Sequence, residues 1–152
     1  ARGTQVRYVK PHGAMYNTIV HHEAQAKAVI EGIKAFGTDL PVMLLPGAVA
    51  ATYAEKAGLR VINEVFADRA YNPDGTLVSR RENGAVLHDP EVVARRVVRM
   101  AEEGTIEAID GSTIRTTADS VCVHGDSPGA VAMAERIAAE LKANDITIGS
   151  FL

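Results

Sequence analysis

A chain of 152 residues with 47% hydrophobic side chains is long enough for one packed core and too apolar to be disordered. Nineteen acidic against sixteen basic residues leave a formal charge of -3, which excludes the concentrated basic surface that nucleic acid needs. No apolar run approaches the roughly 20 residues that span a bilayer, and the lone Cys122 has no intrachain disulfide partner, in keeping with a reducing, cytoplasmic setting. The first residues, A-R-G-T-Q-V-R, show neither a signal h-region nor a methionine, so Ala1 is expected not to be the natural start.

In chain order, residues 6–9 read as a short strand that Lys10-Pro11-His12-Gly13 terminates. Residues 15–36 read as one helix with Val29, Ile33 and Phe36 along a face and Gly37 closing it. Residues 42–45 form the next strand, ended by Pro46-Gly47. An alanine-rich helix follows to Lys56, with Gly58 past its end, and residues 61–67 make a third strand running into Asp68-Arg69. Strand and helix alternate, which argues for a parallel sheet with crossover helices, and the whole of 1–152 reads as a single α/β domain.

Residues 70–88 lose this periodicity and read as a long polar loop, with Asn72-Pro73-Asp74-Gly75 suited to a type I turn. Asp89-Pro90 then caps a helix whose Val93, Val97 and Met100 share a face and which stops at Gly104. Residues 106–109 and 113–116 flank Asp110-Gly111 as a small hairpin outside the main sheet. Residues 120–123 are a fourth core strand, with Cys122 as a small apolar residue. Ser127 suits an N-cap and Pro128 the first position of a last helix, whose Ala130, Ala134, Ile137 and Leu141 share a side. Residues 146–152 are apolar enough to begin another strand. Four or five parallel strands cannot close a barrel, so the chain is expected to be an open sheet or the carboxyl-terminal part of a longer protein.

Polar groups of matching kind stand at three strand exits: Lys10 with His12, Asp68 with Arg69, and His124 with Asp126. In a parallel sheet these exits open on one rim, where ligands bind in α/β folds. His12 and His124 supply acid–base groups, Asp68 and Asp126 can orient them, and Lys10 and Arg69 can neutralise a bound anion. That inventory is a hydrolase's. His12 and His124 with a carboxylate could alternatively hold a metal, although no H-x-x-x-H or C-x-x-C spacing supports one. Arg80 and Arg81, with Asp74, lie in the long loop, where an arginine can fold over an anionic substrate. His21, His22 and His88 carry no assigned role. No G-x-x-x-x-G-K-[ST] loop is present.

The segments from Val9 to Asn17 (V-K-P-H-G-A-M-Y-N), from Val65 to Tyr71 (V-F-A-D-R-A-Y), Asp74-Gly75, Gly84-Ala85-Val86 and from Cys122 to Pro128 (C-V-H-G-D-S-P) closely resemble the LamB/YcsF family, in the family's order. Met15 stands where leucine is commoner and Ser79 where proline is commoner. The family's additional amino-terminal segment, with D-L-N-x-D-x-G-E and G-F-H-x-G-D type motifs, has no counterpart here, which agrees with the shortage of strands. The resemblance implies the carboxyl-terminal portion of a distorted, seven-stranded β/α barrel of the glycoside hydrolase/deacetylase type. It implies ATP-dependent opening of 5-oxo-L-proline to L-glutamate, carried out with 5-oxoprolinase subunits B and C, the ATP being bound by those partners. His12, His124, Asp126 and Asp68 would then be catalytic, and Lys10, Arg69, Arg80 and Asn17 would bind substrate. A metal-dependent amide or carbohydrate hydrolase or deacetylase, and a non-catalytic stabilising role, are the alternatives.

Overall fold

The computed structural model of the chain describes residues 3, 5–37, 39–126 and 128–152. The fold is α/β, and the chain groups into two units, residues 1–64 with Leu152 and residues 65–151. Among the described residues no helix is long and apolar enough to cross a membrane.

The first unit holds α1 (Gly13–Thr18), α2 (Glu23–Ala35), β1 (Val42–Leu44) and α3 (Val49–Lys56), and β2 (Val61–Phe66) leads the chain from it into the second. β1 and β2 pair in parallel, Val42 opposite Val61 and Leu44 opposite Asn63, with α3 as the crossover that a parallel pair requires. Ile19, Ala26, Ile30, Leu44, Ala54 and Leu59 close the core beneath α2 and α3. Each large aliphatic residue so buried contributes about 1.5–3 kcal/mol.

Two expectations for this unit are corrected. Residues 15–36 are not one helix, because the chain turns between α1 and α2. Ala48 gives α3 no side-chain cap, and the N–H groups of Val49 and Ala50 donate instead to the carbonyls of Val20 and Ile19, at 2.8 and 3.2 Å. Those carbonyls are held for α3, and His22 starts a new helix by accepting from the Gln25 N–H. Phe36, expected on the apolar face, is the exposed C-cap of α2. The strand over 6–9 shrinks to a single parallel bridge between Val9 and Val42, and residues 5–8 are exposed.

In the second unit α4 (Pro90–Glu103) starts as its sequence requires, Asp89 accepting from the N–H groups of Glu91 and Val92 with Pro90 in the first turn. It ends at Gly104, whose φ is 62° and whose absent Cβ would lie 3.1 Å from the Thr116 carbonyl oxygen. β3 (Thr105–Glu107) and β4 (Thr113–Arg115) form the expected separate hairpin. Its first strand is shorter than read, because the Ala108 N–H donates to Ser112 and the Gly111 N–H to Ala108, drawing Ala108 and Ile109 into the turn. β5 (Ser120–Cys122) lies beside the end of β2, where the Ala67 N–H donates to the Cys122 carbonyl at 3.0 Å. Cys122 is half-buried.

The last helix, α5 (Ala130–Ala143), packs along α4, joining Met133, Ile137 and Leu141 to Val93, Ala94, Val97 and Val98. Two details differ from the sequence reading, and a third, the Ser127 cap, lies outside the described residues. Pro128 precedes the helix, which follows Gly129 at φ 79° with no side-chain cap, and Met133 rather than Ala134 takes the buried position. Residues 146–152 form no strand.

The stretch 70–88 holds neither helix nor strand, as its reading as a loop implies. It reads as polar loop yet is tied down by antiparallel bridges between Arg69 and Val86 and between Tyr71 and Leu77, over a cluster of Ala70, Val78 and Ala85. The expected turn is present, with the Gly75 N–H donating to the Asn72 carbonyl. The tip, residues 79–84, is exposed throughout.

Candidate functional site

β2 and β5 end next to each other in the second unit, so the residues just beyond them, Asp68 and His124, come to the same level. Nδ1 of His124 lies 2.9 Å from Oδ1 and 2.8 Å from Oδ2 of Asp68, and the His124 backbone N–H points at Oδ2 at 3.4 Å. Asp68 is 3% exposed, so its carboxylate is held in a low-dielectric setting where the imidazole is its partner. The ring of Phe66 stacks on the imidazole at 5.6 Å with 21° between planes, which fixes the ring's orientation from one face.

At the other ring nitrogen, Nη2 of Arg80 stands 3.0 Å from Nε2. A guanidinium can only donate, so Nε2 must be the acceptor and the ring proton sits on Nδ1, donated to Asp68. In that tautomer the Nε2 lone pair faces the loop tip. His124 is half-buried and Arg80 exposed, so this end of the ring faces outward.

Arg69 neighbours Asp68 in sequence but serves a different structure. It is 4% exposed, and its guanidinium donates to the carbonyls of Ala85 (Nε, 3.2 Å) and Val78 (Nη2, 2.6 Å), the two anchors of the loop tip. Burial, and after it the like charge of Arg80, pulls its affinity for a proton below the ordinary value, against the attraction of Asp68. Arg96 completes the scaffold, donating to the carbonyls of Ala67 (3.1 Å) and Arg69 (2.5 Å) and lying over the Tyr71 ring, while the Tyr71 hydroxyl accepts from the Phe66 N–H. Neither Arg96 nor Tyr71 figures among the residues picked from sequence as carrying chemistry. Arg69→Met is expected to lower stability by about 1–3 kcal/mol, since the Val78 carbonyl loses the guanidinium and the Ala85 carbonyl keeps only the Ala70 N–H. Denaturant unfolding of the full-length protein measures it, and a loss under about 0.5 kcal/mol would show that the loop does not depend on this side chain.

The remaining sequence-selected residues are placed as follows. Asp126 is exposed in the turn after His124, and it is Asp68 whose carboxylate meets the imidazole. In the first unit, Lys10 donates to Oε1 of Glu64 at 2.6 Å, with Glu64 2% exposed and its Oε2 buried without a hydrogen bond among the described residues. Glu64 escaped the sequence reading, although a lone carboxylate in the apolar run V-I-N-E-V-F was a visible signal. His12 is the exposed residue before α1 and makes no side-chain cap, and Asn17 donates to the Gly13 carbonyl on the same helix. Among the described residues, no group of three or more His, Cys, Asp and Glu side chains is placed to hold a metal ion.

Comparison with known proteins agrees with the motifs. A family model described as the LamB/YcsF family matches residues 1–152. The chain is 97% identical over all its 152 residues to a protein of Corynebacterium jeikeium named as the A subunit of 5-oxoprolinase, covering 59% of that protein. It is 64% identical to one of the same name from Kocuria rhizophila, over 99% of this chain and 60% of that protein. A solved structure of a lactam utilization protein from Thermus thermophilus superposes with a TM-score of 0.88 at 39% identity, over 97% of this chain and 58% of that one. The chain thus spans about three fifths of the length of these relatives.

Proposed function

The chain belongs to the LamB/YcsF family, and from that premise we propose that it contributes a hydrolytic site to an ATP-dependent 5-oxoprolinase that opens 5-oxo-L-proline to L-glutamate. The relatives are named as one lettered component of that enzyme, which supports an assembly with further components, here proposed to be subunits B and C, acting in the cytoplasm. The barrel of seven distorted strands belongs to the same reading. The observation that carries the proposal is the Asp68–His124 pair: a buried carboxylate, an imidazole with its proton on the inner nitrogen, and an outer nitrogen that faces Arg80.

A lactam is a stable amide, so its carbonyl must be activated before water attacks. In this proposal the partners bind ATP and phosphorylate the substrate, and the present site opens or hydrolyses the labile product. Nε2 of His124 takes a proton from the water attacking the activated carbonyl carbon, Asp68 stabilises the imidazolium and Arg80 the developing anion. The imidazolium returns its proton to the lactam nitrogen as the C–N bond breaks, and a second water releases phosphate from the resulting acyl phosphate to leave glutamate. Arg69 acts through the loop, by holding Val78 and Ala85. In the first unit, Lys10 and Asn17 are proposed as substrate contacts and His12 as a further acid–base group, while Asp126 is proposed to act beside His124.

The test reconstitutes the full-length protein with both partners, 5-oxo-L-proline and ATP. Glutamate is expected to form only when all three proteins are present. Equal glutamate production with this protein left out would end the reading.

A further inference from the structure

Building on this reading of the site, we propose that Arg80 determines its specificity: the guanidinium caps Nε2 of His124 in the free protein, and an anionic group on the bound molecule draws it away, so that the base is uncovered by anions and stays covered against neutral amides. The geometry sets up the exchange. Arg80 has one hydrogen bond in this site, 3.0 Å long, to a neutral ring nitrogen. A carboxylate or phosphoryl group offers two charged acceptors to the same planar fork, and charge-assisted bidentate bonds are roughly twice as strong as neutral ones. A neutral amide offers nothing stronger than the imidazole it would have to replace.

The loop is built so that the side chain can make this move without the backbone following. Val78 is 0% and Ala85 1% exposed, and Arg69 grips the carbonyl of each. Between these anchors the tip is short and internally bonded, the Glu82 N–H donating to the Ser79 carbonyl at 2.9 Å and the Arg81 N–H to Ser79 Oγ at 3.4 Å. Arg80 therefore stays over the site while its exposed side chain swings. The buried positive charge of Arg69 lies close enough for the two guanidinium groups to be felt by one another, so a bound anion relieves a repulsion as it withdraws the cap. The anion's source is either the carboxylate of 5-oxo-L-proline or a phosphoryl group placed on it, and both present the same chemistry to the fork.

The test uses the full-length protein with no turnover required. Carbethoxylation of His124 by diethyl pyrocarbonate, which attacks an unprotonated ring nitrogen, is followed by mass spectrometry. Arg80→Met is expected to speed it about tenfold, the loss of roughly one hydrogen bond, with the other histidines unchanged. In the wild-type protein, the 15N signal of His124 Nε2 is expected to move toward that of a free ring nitrogen when 5-oxo-L-proline is added for the carboxylate arm or inorganic phosphate for the phosphoryl arm. Neutral 2-pyrrolidinone should leave it in place. An unchanged carbethoxylation rate, or a signal that 2-pyrrolidinone moves as far as the anions do, overturns the proposal. Since neither readout measures turnover, an idle cap can be told apart from a site that does not catalyse.

Discussion

Replacing His124 by alanine in the full-length protein, assembled with its partner subunits, is expected to lower kcat for glutamate formation by about 10²–10⁴-fold. The expectation rests on the ring's two hydrogen-bonding ends. With Nδ1 committed to a buried carboxylate and Nε2 turned outward, the imidazole is oriented as a general base, and alanine leaves no group there that can take a proton. Assembly with the partners is measured alongside, because alanine opens no large cavity at this half-buried position but leaves the buried Asp68 carboxylate without its imidazole. This separates a catalytic subunit from one that only stabilises its partners: a complex that assembles and turns over at the wild-type rate would remove His124 from the chemistry.

Asp68→Asn should cost about 10³-fold in kcat with little change in KM. The substitution keeps the shape of the buried side chain, yet its amide can donate where the carboxylate only accepted. An amide N–H facing Nδ1 moves the ring proton to Nε2, which leaves no lone pair toward an attacking water. An asparagine that instead turns its oxygen to Nδ1 keeps the tautomer but no longer stabilises the imidazolium. Both routes lower the rate of the chemical step and spare substrate binding. Activity within about threefold of wild type would mean that the 2.8 Å contact between His124 and Asp68 serves only to hold two strand ends together.

The sequence was most informative where the structure depends on near neighbours. The Asp89-Pro90 start of α4, the Gly104 stop, the Asp110-Gly111 hairpin and the Asn72 to Gly75 turn are each settled by bonds spanning a few residues, and each was legible as such. The single helix over 15–36 failed for the opposite reason. The local signs of a break, a turn closed on Asn17 and Thr18 and a histidine cap at His22, are weak ones, and the carbonyls of Ile19 and Val20 are taken up by the first N–H groups of α3. The stretch 70–88 is a loop as read, but what ties it down was not legible locally: its bridges, its small cluster of Ala70, Val78 and Ala85, and the buried side chain of Arg69 join residues well separated in sequence.

By itself, then, the amino-acid order determined the residue types available for chemistry, the family likeness that groups them, and the strand ends on which Asp68 and His124 stand. Only the tertiary structure decided the pairings: His124 with Asp68 across 56 residues, Arg80 with His124 across 44, Lys10 with Glu64 across 54. It also separated two arginines that read alike, burying Arg69 as a brace and leaving Arg80 exposed over the imidazole. The physical reason is one of range. Caps and turns are chosen by atoms within a few bonds of one another, whereas burial, tautomer and the partner of a charge depend on which distant backbone the sheet brings alongside.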